Sequence, residues 1–253
     1  MNDSSKTIYS QNILSGQDIV NSRLEIRYST APYTTALNWH ENEDLLPVDE
    51  SDLYSSAGKR VVDIIISSLV ILFVLSWVIP IISLIILLDS RGPVFFIQPR
   101  TGRRGVTFPC FKFRTMQHQS ASQQQREFKQ TAQNDARVTQ SGRFLRRTNL
   151  DELPQFVNVL LGDMSIVGPR PHAVQHDAFY WDSREYRSRY SIKPGITGLA
   201  QIRGSRGETE NDQKMLHRVK YDRFYATRQS LQLDTAIFFW TIETMVKGDK
   251  NAW

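Results

Sequence analysis

Two adjacent carboxylates, Asp151 and Glu152, stand in the stretch NLDELPQFVNVLLGDMSIVGPRPH, which runs from Asn149 to His172 and closes on an arginine held between prolines. Neighbouring residues on a helix point about 100° apart. The pair therefore cannot share one face and suits two different tasks, such as one nucleophile and one metal ligand. Arg143, Arg146, Arg147, Arg170, Arg203 and Arg206 all lie in or beside turns that carry Gly or Pro. A guanidinium fork matches phosphate oxygens in bidentate fashion. Carboxylates, a bound Mg²⁺ and several arginines make a set suited to attack on a phosphoryl group, where positioning and charge neutralisation dominate. Taken singly, each arginine is better explained as a solvated surface residue, so the set carries the argument.

A plainer account covers part of this stretch. Asp and Glu favour a helix start, where free N–H groups and the dipole welcome negative charge, and Gly-Pro ends a helix. Thr148 to Asp151 resembles a capping box with Asp in place of Glu or Gln, and Pro154 fits an early helical position. None of this explains Arg170. His172 and His176 have the i, i+4 spacing of a metal pair, but no HExxH motif and no cysteine partner accompanies them. Zinc is disfavoured on that ground, and phosphate or sugar contact fits better. The single cysteine, Cys110, excludes an internal disulfide framework. Set between aromatics in FPCFKF, it reads as a small buried hydrophobe.

The elements that must position these residues come next. VFFIQPRTGRRGVTFPCFKFRTM reads as a β-hairpin turning at TGRRG. Alternation in CFKFRT sets Phe111 and Phe113 on one face and Lys112 and Arg114 on the other. The segment 120–140 is polar, a helix or surface loop. SGRFLRR is a basic helical stretch, a second helix follows it, and LDTAIFFWTIETMVKG is an apolar helix ending at Gly248. The fold class is α+β, mainly helical.

Ile64 to Leu88 contains no charged residue. As a helix it would run roughly 37 Å, against a bilayer core of about 30 Å. It follows some sixty mostly polar residues, so it is not a cleavable signal peptide. Lys59 and Arg60 precede it and Arg91, Arg100, Arg103 and Arg104 follow it, so both flanks carry the positive charge that marks the cytoplasmic side. Pro80 lacks an N–H and should kink the run. Entry, a bend at Pro80 and return to the same face satisfy both facts and are modestly favoured, while an ordinary spanning helix, in which Pro also occurs, stays open as the alternative. A net charge of +5 suits a phosphate-rich partner. Residues 1–54, with the acidic HENEDLLPVDESD, read as a polar tail.

The ordered motifs GPVFFIQPRTGRRG, KFRTM, RFLRRTNLDELPQFVNVLLGDMSIVGPRPH, KPGITGLAQIRG and RGETE, behind an apolar run carrying Pro80, resemble the bacterial sugar transferase family. These are monotopic phosphoglycosyl transferases, also called polyprenyl-phosphate hexose-1-phosphate transferases. The resemblance covers roughly Ala57 to Trp253. Beyond the polar tail over 1–54, it implies a re-entrant membrane helix hairpin over 55–90 and a small cytoplasmic catalytic domain with a β-hairpin over 91–253, a minimal catalytic unit with a short tail. It also implies transfer of a hexose 1-phosphate from a UDP-sugar to undecaprenyl phosphate with release of UMP, the first step of exopolysaccharide, capsule or O-antigen repeat-unit assembly. The setting would be the cytoplasmic face of the bacterial inner membrane, with Mg²⁺ as cofactor and no nucleic acid partner; a homo-oligomer is compatible with it.

By the same resemblance Asp151 is the nucleophile that forms a phosphosugar intermediate, Glu152 helps hold Mg²⁺, Arg146 handles phosphate and Lys112 lies by the dyad. Arg114, Arg170, Arg203 and Arg206 complete the expected phosphate-binding set, and Pro80 is the helix break. Two departures stand out. Many members have Ser before the helix-breaking proline where this chain has Ile79, and Ser76, a turn earlier, is the substitute hydroxyl. The usual AQVNG is AQIRG, so Arg203 replaces Asn. RGETE resembles the branch that handles glucose or galactose 1-phosphate. Two other classes compete: a membrane scaffold whose arginines serve anionic lipids, for which Asp151 would be dispensable, and a nucleic-acid binder, against which the bilayer-length run counts.

Overall fold

The computed structural model describes residues 57–118, 131, 135–205, 207 and 212–247. The tail 1–54, most of 119–134, Arg206 and the rest of RGETE apart from Gly207, and residues 248–253 lie outside the described residues. The described chain is mainly helical, with two small sheets.

Helix α1 (Lys59–Val70), a π-helical turn (Ile71–Leu75) and helix α2 (Ser76–Asp89) form one helical run of 31 residues. Leu69, Leu72, Phe73, Trp77, Leu84 and Leu88 on it are exposed. By length and apolar composition this helix is a candidate membrane span. The run continues through Pro80. In the preceding π turn the Ser76 N–H bonds the Ile71 carbonyl, five residues back. Ser76 Oγ donates to the Leu72 carbonyl at 2.7 Å, one turn before the Ser76 carbonyl whose helical N–H partner Pro80 lacks, and Trp77 Nε1 donates to the Phe73 carbonyl at 2.7 Å. Both are side-chain bonds to the carbonyl four residues back.

Both ends of this run are tied to the same globular body. At its start Lys59 pairs with Asp234 and donates to Tyr225 Oη at 3.0 Å. Asp63 Oδ1 accepts from Ser165 Oγ and Ile166 N. At its end Asp89 accepts from Ser141 N and Oγ at 2.9 and 2.6 Å, and Ile82 and Ile86 pack with Phe113 and Leu145.

Strands β1 (Phe95–Thr101) and β2 (Thr107–Phe113) form the expected antiparallel hairpin, with Gln98 opposite Cys110. Arg104 (φ 56°) and Gly105 (φ 74°) make the left-handed corner within TGRRG. Cys110 is free and buried, and burial pushes its thiol up. Helices α3 (Gln140–Arg147) and α4 (Gln155–Leu161) follow. Strands β3 (Ser165–Val167) and β4 (Gly195–Thr197) pair in parallel. Between them lie α5 (Val174–Ala178) and α6 (Arg184–Arg187); after them come α7 (Leu199–Ile202), α8 (Asp212–Thr227) and α9 (Leu231–Lys247). The main core gathers Phe108, Val159, Met164, Ile166, Tyr225 and Ile237 between the hairpin, the small sheet and the last helices.

The capping box is not formed. Thr148 closes α3 instead, its hydroxyl donating back to the Phe144 and Leu145 carbonyls at 2.8 and 3.1 Å. Asn149 turns left-handed (φ 57°), Leu150–Glu152 form a 3₁₀ turn, and Pro154 stands just ahead of α4. A threonine hydroxyl at the end of a helix can bond back to the carbonyls three and four residues before it, and here that bond replaces the cap.

Candidate active site

Successive residues of a 3₁₀ turn diverge by about 120°, so the turn that carries Asp151 and Glu152 aims them differently. Both are nearly buried, at 8% and 7% exposure. Two cations reach Glu152 from distant elements. Lys112 Nζ on β2 lies 2.6 Å from Oε1, and Arg170 donates to both oxygens. Against the cost of burial, Arg170 and then Lys112 hold the Glu152 carboxyl well below the usual carboxylate range.

Asp151 differs. Among the described residues its carboxylate accepts no hydrogen bond, although Lys112, Arg146 and Arg170 all exert their charge on it. Burial dominates and pushes its pKa up to about 6. One carboxylate is bound on both oxygens and the other is left open among cations.

The scaffold explains these placements. Asn158 of α4, with no exposed surface, accepts from Phe111 N at 3.0 Å and donates to the Pro109 carbonyl at 2.7 Å. It locks β2 to α4 and so sets Lys112 over the 3₁₀ turn. Arg146 Nε donates to Thr115 Oγ1 at 2.8 Å. Its helix comes this close because Gly142 lies against the Thr115 backbone, where any Cβ would meet the carbonyl oxygen at 2.1 Å. Arg170 stands in a turn pressed onto β4: a Cβ on Gly195 would lie 2.1 Å from Gly168 N. That contact accounts for glycine at both positions.

Of the expected phosphate-binding set, Lys112, Arg146 and Arg170 gather at the dyad. Arg114 does not present its guanidinium there. It donates to the Ser90 and Arg91 carbonyls at 2.8 and 2.7 Å, tying the end of α2 to the hairpin; β2 ends at Phe113, so the strand alternation no longer governs residue 114. Arg203 is exposed at the end of α7, its guanidinium 5.6 Å from the Trp240 ring centroid. There it lines a cleft of about 280 Å³ with Trp240, Glu243 and Lys247, none of them a neighbour of the dyad in sequence or in the contacts above. Arg206 lies outside the described residues.

His172, His176 and Asp177 bring potential ligand atoms within 4.8 Å of one another. The surroundings do not suit a cation. Burial and then Arg189 and Arg218 hold His172 well below its usual range, and burial with the same arginines brings His176 down to about 4. Arg189 Nη1 lies 2.9 Å from Nδ1 and Arg218 Nη1 2.9 Å from Nε2 of His172. Motif reading gave no sign of Arg189, Arg218, Asp222 or Asn158, since their partners lie far off along the chain.

The bacterial sugar transferase profile matches residues 54–248. A UDP-glucose:undecaprenyl-phosphate glucose-1-phosphate transferase of Klebsiella pneumoniae is 48% identical over 73% of this chain and 39% of its own length. An undecaprenyl-phosphate galactose phosphotransferase of Salmonella typhimurium is 39% identical over 62% of the chain and 34% of its own. The exopolysaccharide production protein PSS of Rhizobium leguminosarum is 44% identical over 76% of the chain and 97% of its own. The matched part thus spans about two fifths of the Klebsiella protein and nearly all of the Rhizobium one. With the profile covering the whole described structure, the chain belongs to the bacterial sugar transferase family.

Proposed function

We propose that the chain transfers a hexose 1-phosphate, with glucose or galactose favoured, from a UDP-sugar to undecaprenyl phosphate and releases UMP. The observation that carries this is the division of labour in the dyad: Glu152 is held by Lys112 and Arg170, while Asp151 is open, buried and ringed by cations. Asp151 attacks the phosphorus that bears the sugar. The bond to UMP breaks, UMP leaves with the electron pair, and an acyl phosphate joins enzyme and sugar phosphate. A phosphate oxygen of the lipid acceptor then attacks the same phosphorus and frees Asp151. Arg146, Arg170 and Lys112 surround the position where negative charge accumulates.

Magnesium belongs to this proposal. It favours one or two carboxylates together with substrate phosphates, and it would neutralise the diphosphate. Both Glu152 oxygens accept from cations, so Glu152 would hold the ion only as Lys112 or Arg170 passes to the donor's phosphates, and Asp151 is the unoccupied carboxylate beside it.

The same reading sets the helical run in the bilayer as a re-entrant element with the catalytic domain on the cytoplasmic face. Support comes from the attachment of Lys59 and Asp89, its two ends, to one body. A straight run of 31 residues would be about 45 Å long, and a spanning helix would part its ends across the membrane. A polyprenyl acceptor gains about 0.8 kcal/mol per buried CH₂ and stays in the bilayer, so the enzyme must meet it there. The test is UMP release across a panel of UDP-sugars with membrane extract and Mg²⁺. UDP-glucose or UDP-galactose should support it; release from none of them would favour the lipid-binding scaffold.

A further inference from the structure

The turn that carries Arg170 is held along its whole backbone. Four successive carbonyls, from Pro169 to His172, each accept a hydrogen bond from elsewhere in the chain. Gly195 N takes Pro169 O at 2.9 Å, and Thr101 N takes His172 O at 3.3 Å. The two in the middle are taken by side chains. Arg189 Nη2 donates to the Arg170 carbonyl at 2.8 Å, and Arg100 Nη1 donates to the Pro171 carbonyl. Prolines on both sides of Arg170 remove the backbone freedom that would let the turn slip.

Arg189 has no exposed surface. Burying a guanidinium is costly unless it is paired and its donors are used. Here Asp222 accepts from Nε at 3.0 Å and pairs with Nη2 at 2.8 Å. The rings of Tyr186 and Tyr190 lie 5.3 and 5.1 Å from its central carbon, within cation–π range. Nη1 lies 2.9 Å from Nδ1 of His172, two residues beyond Arg170. The planar fork engages the carboxylate, the carbonyl and the imidazole at once, which the compact ammonium of lysine could not.

We infer that Arg189, with Arg100 beside it, is a positioning residue for the transfer: it fixes the main chain from which Arg170 reaches Glu152 and the donor's phosphate. This rests on the reading of Arg170 as a phosphate-binding group. Neither Arg189 nor Arg100 touches Asp151 or Glu152 by hydrogen bond, so both act through Arg170.

A double-mutant cycle tests this. Arg189→Lys and Arg100→Lys are made in the native chain and in an Arg170→Lys background, and each protein is measured for UMP release and for binding of UDP. In the native background Arg189→Lys should lower kcat/KM roughly 30- to 100-fold, the scale of an ångström-sized misplacement, with most of the loss in kcat. In the Arg170→Lys background the further loss should be below about threefold, because the positioned group is already gone. Arg100→Lys, at a half-buried site, should follow the same pattern with a smaller factor and serves if Arg189→Lys does not fold. Equal losses in both backgrounds would mean that the arginines serve the fold at large and would overturn the inference. If the native chain releases no UMP, the transferase reading fails, while the cycle in UDP affinity still decides whether Arg189 acts through Arg170.

Discussion

Arg170 meets Glu152 with both arms of its guanidinium: Nη1 lies 3.0 Å from Oε2, and Nη2 donates to Oε1. The oxygen that receives Nη2 also receives Lys112. Two cations and one carboxylate form a preassembled charge cluster, and the neighbouring carboxylate of Asp151 stays out of it. A donor diphosphate entering the site would meet cations already oriented, which is the condition under which charge stabilisation contributes most to rate.

Replacing Glu152 with Gln keeps the shape and removes the charge that holds this cluster. Turnover should fall roughly 10²- to 10³-fold, measured as UMP release at saturating UDP-sugar. EDTA should abolish turnover of the native chain and added Mg²⁺ should restore it. Full activity in EDTA would remove the metal from the mechanism.

Asp151 as a covalent nucleophile predicts ping-pong kinetics and UMP release before any lipid acceptor is present. Incubation with UDP-sugar alone should add the mass of a sugar phosphate to the peptide containing Asp151, in a form labile to hydroxylamine. Asp151→Asn should lose adduct and turnover together. Sequential kinetics without an adduct would point to direct attack by the lipid phosphate.

With its pKa pushed up to about 6 by burial, Asp151 should give the free enzyme a kcat/KM that rises with pH through about 6 and then levels. The two buried histidines are held neutral across that range, so the rise belongs to the aspartate. Metal at the site would move it lower. Stability runs the other way: the folded chain binds the proton more tightly than the unfolded one, so this group's contribution falls as pH rises from about 4 to about 6. Asp151→Asn should flatten that part of the stability profile, as read by denaturant midpoints.

Topology is open to a direct measurement. Single cysteines at Gly58 and Arg91, in a Cys110→Ser background, should both react with an impermeant reagent only from the cytoplasmic side. Periplasmic labelling of either would establish a spanning helix. Replacing Pro80 with Leu should straighten the run and favour crossing.

Asn158→Ala would leave the half-buried Phe111 N–H and the buried Pro109 carbonyl without their Asn158 partner. Each such loss costs about 1–3 kcal/mol, so chemical denaturation should show a destabilisation of about 3 kcal/mol. Lys112 would lose its register over the dyad, and UMP release should fall more than stability alone accounts for at low temperature.

Composition and short-range pattern settled much in advance. The apolar run needed only its own residues to declare a long apolar helix, the TGRRG hairpin needed only its turn chemistry, and the adjacency of Asp151 and Glu152 already made them diverge. Family membership was legible from ordered motifs. Tertiary structure decided what those residues touch. Arg114 and Lys112 look alike as neighbours on a strand, yet one clasps the end of a helix and the other the buried carboxylate of Glu152, because the strand stops between them. Thr148 turned back to its own helix, and Arg203 went to Trp240. Arg189 and Asp222, 33 positions apart, and Lys112 and Glu152, 40 apart, carry no mark of each other in the sequence. A charge's neighbour across the chain is set by how elements pack, and in a buried site that neighbour determines whether the group binds, holds or attacks.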